Sequence, residues 1–202
     1  LVCTVRDETE RQARERELEL KERAMNEATV GIQITDPNRE ENPLIYVNDG
    51  FERLTGYTRQ EGVGRNPRFL QGPETDPEKI ARLRAAIRNE EPVSLELQNY
   101  RKDGTPYWTR LSITPVTDEN GVVQHFIGIQ QDVTERWERE RELELKERAM
   151  DEANVGITIS DPEQPDNPLV YVNDGFVEQT GYTREEAVGR NCRFLQADDR
   201  DQ

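Results

Sequence analysis

Hydrophobic and polar positions alternate along five stretches of the chain, and a period of two predicts β-strands. Two of these stretches come first, at 30–35 and 44–48, and three follow at 93–102, 105–116 and 122–132. The last three are separated by Asp-Gly and Asn-Gly pairs, which favour tight hairpin turns. The pattern therefore predicts an antiparallel sheet whose last three strands are neighbours in space.

Helices are predicted between the strands and on both sides of them. Residues 77–89 form one, since Asp76 can cap its N-terminus and Pro77 fits its first position. Residues 7–28 and 132–153 lack Pro and Gly and carry many Glu/Arg pairs at i,i+4 spacing, as in charged helices. The order of elements predicts an α+β unit of about 105 residues, with a five-stranded antiparallel sheet and helices packed on one face.

The chain contains an internal repeat at an offset of 125 residues. Residues 14–71 and 139–196 are identical at 43 of 58 positions, and GRNPRFLQ in the first copy becomes GRNCRFLQ in the second. We therefore expect tandem units within a longer array. The expected parts are the last strand of an upstream unit (1–11), a helical linker (12–28), a complete domain (29–134), a second helical linker (135–153) and the N-terminal half of a second domain (154–202).

Three polar residues stand in apolar rows on the side of the sheet that faces the helices: Asn99, Thr109 and Gln130. Buried amides need hydrogen-bond partners, and several of them on one concave face suggest a planar ligand rich in heteroatoms. The alternative is that these side chains bond to each other or to the backbone.

The last strand is apolar on both sides. Its pleat is expected to place Val122, Phe126 and Gln130 inward and Val123, Ile127 and Ile129 outward. A helix or a second subunit should therefore cover the outer face of the sheet.

The octapeptide GRNCRFLQ contains a cysteine and, around it, polar side chains that suit a ligand. Arg193 suits a phosphate, because guanidinium donates bidentately, and Asn191 and Gln196 suit the edge of a heterocycle. Cys192 between them is either a reactive thiol or a small buried hydrophobe.

Composition excludes several classes of protein. The net charge of −15 disfavours binding to nucleic acid or to anionic lipid by charge. No apolar run is long enough to span a bilayer, and two distant cysteines do not form a disulfide framework, so a soluble cytoplasmic protein is expected. No metal-binding cluster, phosphate-binding glycine loop or nucleophile–base pair is present, so the residues predict no enzyme activity.

With TDP, NPLIYVNDGF, TGYTREE, GPETD, NYRKDGTPYW and FIGIQQDVT around it, the octapeptide resembles LOV domains, the blue-light-sensing branch of the PAS family. The resemblance implies non-covalent binding of FMN. It covers 29–134 and, as a half domain, 154–202. The matching flavin contacts in the first unit are Asn66, Arg68, Gln71, Arg84, Asn99 and Gln130. Thr109 stands where a second asparagine is usual, and in the second unit Asn191, Arg193 and Gln196 match.

The resemblance also implies that Cys192 forms a reversible bond to the flavin after blue light. Pro67 replaces this cysteine in the first unit, which is therefore expected to keep flavin and to lose the adduct. The alternative for the first unit is a redox sensor or a ligand-free dimerisation module.

The resemblance extends to partners. Tandem arrays of this kind occur in sensor histidine kinases and in haloarchaeal regulators similar to the bacterio-opsin activator. We therefore expect a downstream kinase or DNA-binding output domain, and a homodimer formed through the helical linkers and the outer face of the sheet. For the linkers, Leu18 and Met25 are one heptad apart, and a solvated connecting helix is the alternative.

Overall fold

The computed structural model describes residues 2–196, and their side chains from residue 11 onward. The chain separates into two compact units, Leu1–Trp137 and Glu138–Gln202. Within the described residues no helix is long and apolar enough to cross a membrane.

The first unit contains one five-stranded sheet and the helices that accompany it. Its elements are α1 (Val2–Glu27), β1 (Gly31–Thr35), β2 (Leu44–Val47), α2 (Asp49–Thr55), α3 (Arg59–Gly62), a 3-10 helix (Pro67–Leu70), α4 (Pro77–Arg88), β3 (Val93–Tyr100), β4 (Pro106–Thr117), β5 (Val123–Asp132) and the start of α5 (Thr134–Asp151). All strand pairs are antiparallel, in the order β2-β1-β5-β4-β3. The expected α+β fold with a five-stranded antiparallel sheet is confirmed.

Local sequence signals explain where these elements begin and turn. The Asp76 carboxylate accepts from the amides of Glu78 and Lys79 and caps α4, with Pro77 at the first helical position, as predicted. Gly104 and Gly121 adopt positive φ in the two hairpin turns, a conformation that only glycine reaches without strain.

The N-terminal segment differs from the prediction. Residues 2–11 belong to α1 instead of forming a strand. A strand needs a neighbour that pairs with its backbone, and none of the strands in the described residues pairs with this segment. A helix satisfies its own backbone groups, and the segment contains no Pro or Gly that would interrupt it.

Asn48 connects α1 to the sheet. Its buried side-chain oxygen accepts from the amides of Ile32 (2.7 Å) and Phe51 (2.9 Å), so it also caps α2. Its side-chain nitrogen donates to the carbonyls of Met25 (2.6 Å) and Val30 (3.1 Å). One buried amide therefore fixes the end of α1 against β1 and α2.

The first turn of α5 covers part of the outer face of the sheet. The ring of Trp137 stacks on Trp108 of β4, with centroids 4.0 Å apart and planes 9° apart. The indole nitrogen of Trp137 donates to the Glu96 carboxylate (2.9 Å), which also accepts from Arg110 (2.8 Å) and Arg136. These contacts lower the pKa of Glu96, although desolvation of its carboxyl opposes them.

A β-bulge changes the predicted pleat of β5. Val116 pairs with His125 and Thr117 pairs with Val123, so Gln124 is an extra residue on β5. The bulge turns Val123 into the core beside Phe126, whereas the alternation had placed Val123 outward.

The second unit contains the rest of α5, β6 (Thr158–Ser160), β7 (Leu169–Val172), α6 (Asp174–Thr180), α7 (Arg184–Ala187) and a 3-10 helix (Cys192–Leu195). Its two strands pair with each other, and a small core of Leu169, Val172, Phe176 and Ala187 lies beneath them. The repeat in sequence is thus a repeat in local structure.

Candidate functional site

A cavity of about 510 Å³ lies in the first unit between the inner face of the sheet and the 3-10 helix and α4. Its walls include six of the residues predicted to bind a ligand: Asn66, Arg68, Gln71, Arg84, Asn99 and Gln130. Apolar side chains of the core complete the walls: Leu70, Ile80, Leu83, Ile87, Leu97, Leu111, Ile113 and Phe126. An apolar cavity with a few convergent polar groups is typical of small-molecule sites.

The 3-10 helix at one wall begins with a side-chain cap and a proline. The Asn66 side chain accepts from the amide of Arg68 (3.0 Å) and caps the helix, and Pro67 occupies the first helical position. The side-chain nitrogen of Asn66 donates to the carbonyls of Glu41 and Asn42, two residues with positive φ. Asn66 therefore ties the loop before β2 to the cavity wall.

Arginines supply positive charge at the mouth of the cavity. Arg68, which is exposed, forms an ion pair with Glu41 (2.9 Å), and Arg84, also exposed, lines the cavity from α4. Arg39 also lines the mouth and is paired with Asp36 (2.9 Å). Guanidinium groups at an open end suit the anionic part of a ligand whose remainder enters the cavity.

The polar residues at the inner end are almost completely buried. Asn99 is 4% exposed, and its side-chain oxygen has no hydrogen-bond partner. The Tyr107 hydroxyl donates to the side-chain oxygen of Gln130 (3.2 Å), and the side-chain nitrogen of Gln130 donates to Gln33 (2.9 Å). Internal bonding, the alternative to a ligand, therefore accounts for Gln130 but leaves the Asn99 oxygen unsatisfied.

Burial also fixes the protonation state of the tyrosine. Desolvation raises the pKa of Tyr107 well above its ordinary value, against smaller opposing effects of Asn99 and Arg101. The Tyr107 hydroxyl consequently stays protonated, and able to donate, well above neutral pH.

Thr109 does not join this group. It is completely buried on β4, but its hydroxyl donates to the backbone carbonyl of Gln131 (3.3 Å) and it does not line the cavity. The pleat placed Thr109 on the correct face of the sheet, but it did not show that the backbone of the next strand would bind the hydroxyl.

The sequence patterns did not single out Gln33, Thr35 and Tyr107 as site residues. All three are buried, and Gln33 and Thr35 line the cavity. The signal was present, because Gly31, Gln33 and Thr35 alternate with two isoleucines and so share one face of β1. The same pleat argument, applied to β1, finds Gln33 and Thr35, whereas Tyr107 lies on β4.

In the second unit, the matching residues lie on the 3-10 helix that begins at Cys192. Asn191 caps this helix through the amide of Arg193 (3.0 Å), and Arg193 forms an ion pair with Asp166 (2.8 Å). Cys192, Arg193 and Gln196 are exposed. The 3-10 helix thus has the same local geometry in both units, whereas its residues are more exposed in the second unit.

Comparison with known proteins agrees with this architecture. The family model for the PAS domain matches residues 29–135 and 154–202. The bacterioopsin transcriptional activator of Halobacterium salinarum is 44% identical over 137 residues, which are 68% of this chain and 20% of that protein. The chain spans between about a fifth and a half of the length of the first curated relatives that it matches.

Solved structures give the same result. The LOV domain of a blue-light activated histidine kinase from Erythrobacter litoralis is 45% identical, with a TM-score of 0.51 over 53% of this chain and 98% of that one. A light-oxygen-voltage domain studied with a flavin analogue is 38% identical, with a TM-score of 0.55 over 63% of this chain and 93% of that one. The chain therefore belongs to the PAS domain family, and the solved structures that it resembles include LOV domains.

Proposed function

We propose that the first unit is a sensory module that binds flavin, specifically FMN, in the cavity beneath the sheet. The observation that carries this proposal is the Asn99 side-chain oxygen, which is buried at the inner end of a 510 Å³ cavity without a donor. A buried acceptor without a partner costs about 1–3 kcal/mol, and the N–H edge of a flavin ring would satisfy it.

The cavity provides for both ends of FMN. Asn99 and Gln130 supply amides for the ring edge, and Leu97, Leu111 and Phe126 supply apolar surface. Arg68 and Arg84 at the mouth suit the phosphate. To bind it, Arg68 would give up its ion pair with Glu41. Bound FMN would supply absorption of blue light, and the chain's residues hold it and exclude water.

The two units differ in the thiol that this function needs. We propose that Cys192 is the reactive group of the light response in the second unit, and that Pro67 removes the response from the first. Proline has no nucleophilic atom, yet Pro67 lines the cavity where the cysteine of a matching unit would lie. The first unit then keeps its ligand and lacks this chemistry.

Partners follow from surfaces that the units leave open. We propose a cytoplasmic homodimer through the charged helices, where Leu18 and Leu143 are exposed, and through the outer face of the sheet, where Ile129 is exposed. The output is proposed to be a kinase or a transcription regulator within the parent protein, because the relatives include both kinds.

Release of the ligand tests the proposal. The 202-residue chain, purified after expression without added flavin and then denatured, should release a yellow compound with the mass of FMN. Arg84→Ala should weaken FMN binding about tenfold and leave riboflavin binding unchanged, because only FMN carries the phosphate. Arg82→Ala, on the same helix but away from the cavity, is the control. A colourless chain that takes up neither flavin would overturn the proposal.

One observation favours a second function for the first unit. Because position 67 carries proline and no thiol, a redox-sensing or ligand-free dimerisation module fits the first unit as well as a light sensor does. Flavin uptake followed by reversible chemical reduction, with no response to blue light, would favour redox sensing. A colourless but dimeric chain would favour dimerisation.

A further inference from the structure

Gln33 lies opposite Gly128 in the ladder between β1 and β5, and it needs the space that this glycine leaves. Gln33 is 3% exposed and lines the cavity. A Cβ added to Gly128 would lie 2.8 Å from two side-chain atoms of Gln33, closer than real Cβ contacts. The missing side chain of Gly128 therefore leaves the space through which the Gln33 side chain crosses the inner face of the sheet.

This arrangement brings Gln33 to Gln130, a residue 97 positions away in sequence. The side-chain nitrogen of Gln130 donates to the side-chain oxygen of Gln33 at 2.9 Å. The side-chain oxygen of Gln130 accepts from the Tyr107 hydroxyl at 3.2 Å. Both ends of the Gln130 amide are thus held, and its second N–H is left for another acceptor.

We infer that Gln33 and Tyr107 are positioning residues that fix the orientation of the Gln130 amide in the flavin site. The inference rests on the proposed function, because Gln130 is there assigned to the ring edge. Rotation of the Gln130 amide alone would place its oxygen against the Gln33 oxygen, which is unfavourable in a buried site. The neutral hydroxyl of Tyr107 supports the observed orientation by donating to the Gln130 oxygen.

The same contacts allow a second arrangement when all members change together. If Gln33 also rotates, its nitrogen can donate to the Gln130 oxygen, and the Gln130 nitrogen can donate to the Tyr107 oxygen. If the Asn99 amide rotates as well, the Tyr107 hydroxyl can donate to the Asn99 oxygen, which has no donor and lies opposite Tyr107 in the β3–β4 ladder. Gln33, Tyr107 and Gln130 therefore form a hydrogen-bond network that transmits a change at the ring edge to β1.

This hydrogen-bond network belongs to the first unit. The offset of 125 residues places Thr158 at the position of Gln33 in the second unit. The side chain of Thr158 is too short to bridge two strands as Gln33 does.

Gln33→Leu tests the inference, because leucine keeps most of the volume and removes both polar atoms. In the FMN-loaded 202-residue chain we expect a shifted flavin absorption maximum and about three- to tenfold weaker FMN binding, the effect of one lost hydrogen bond. Gln131→Leu, on the adjacent exposed position of β5, should change neither. Tyr107→Phe, which removes only the hydroxyl, should also shift the maximum.

Side-chain amide NMR gives a readout that does not need flavin. In the ligand-free chain, Gln33→Leu should shift the Gln130 amide protons and speed their exchange. If these signals and the flavin spectrum stay as in the wild type, the inference is wrong even though flavin binds. If the wild-type chain takes up no flavin, the proposed function fails, and unchanged Gln130 signals in Gln33→Leu would then reject the contact as well.

Discussion

Pro67 stands in the first unit where Cys192 stands in the second, and the backbone accepts both residues. Asn66 before Pro67 has φ −72° and ψ 134°, and Asn191 before Cys192 has φ −71° and ψ 137°. The extended conformation before a proline is the favoured one, and the first helical position has no hydrogen bond to lose. The substitution therefore changes the chemistry of the wall without changing its shape.

We predict that Pro67→Cys introduces a light response. Because the side chain at position 67 lines the cavity, a thiol there would lie beside bound FMN. The FMN-loaded variant should lose its blue absorption band under blue light and recover it in the dark, as followed by absorption spectroscopy. Pro67→Ser is the matched control without a thiol, and it should keep the band. Equal bleaching of both variants would contradict the prediction.

At the scale of elements, α3 is held against the turn between β3 and β4. Thr58 and Glu61 form a capping box at its start, and Lys102 pairs with the Glu61 carboxylate at 2.5 Å. The hydrogen bond from Lys102, followed by those from the backbone and side chain of Thr58, lowers the pKa of Glu61 from 4.5 to about 2. One carboxylate thus serves both the helix cap and the hairpin.

We predict that Lys102→Met raises the pKa of Glu61 toward 4.5. Since the folded-state pKa is depressed, the pair stabilises the fold above about pH 4.5, and this contribution disappears as the pH falls toward 2. NMR titration of the Glu61 carboxyl carbon measures the shift. Lys146→Met, which removes an exposed pair within α5, is the control and should leave Glu61 unchanged. A Glu61 pKa that stays near 2 in Lys102→Met would refute the role of the lysine.

Packing of strands also decided features that the alternation of residues did not specify. The extra residue Gln124 in β5 reverses the phase of the pleat, so that Val123 and Phe126 both point inward. A bulge depends on how β4 and β5 pair, and it leaves little trace in the pattern of either strand alone.

At the scale of the whole molecule, charge opposes self-association while the helices offer apolar contacts. The net charge is −15, yet Leu18 of α1 is 61% exposed. Salt screens repulsion between like charges and leaves hydrophobic contacts intact. A dimer through this helix should therefore strengthen as the salt concentration rises.

We predict that the chain sediments as a dimer, with a dissociation constant that falls as KCl increases. Leu18→Glu should shift the equilibrium to monomer, because Leu18 shares a heptad face with Met25. Leu20→Glu is the control on the same helix but off that face, and it should leave the dimer intact. Sedimentation velocity distinguishes the two variants. A wild-type chain that remains monomeric at every salt concentration would exclude the dimer.

The sequence by itself determined the elements that depend on local chemistry. Alternation predicted the five strands, and Asp76 and Pro77 predicted the start of α4. These features follow from interactions between residues close in the chain, so a local pattern contains them. The motif around Cys192 likewise indicated the family.

Only the tertiary structure decided which polar groups meet. It joined Gln33 to Gln130 across 97 residues, left the Asn99 oxygen without a partner, and gave the Thr109 hydroxyl to the backbone of Gln131. A pleat specifies the face on which a side chain lies but not the neighbour that it finds there. That neighbour depends on register and bulges between strands distant in sequence, which packing of the whole unit sets.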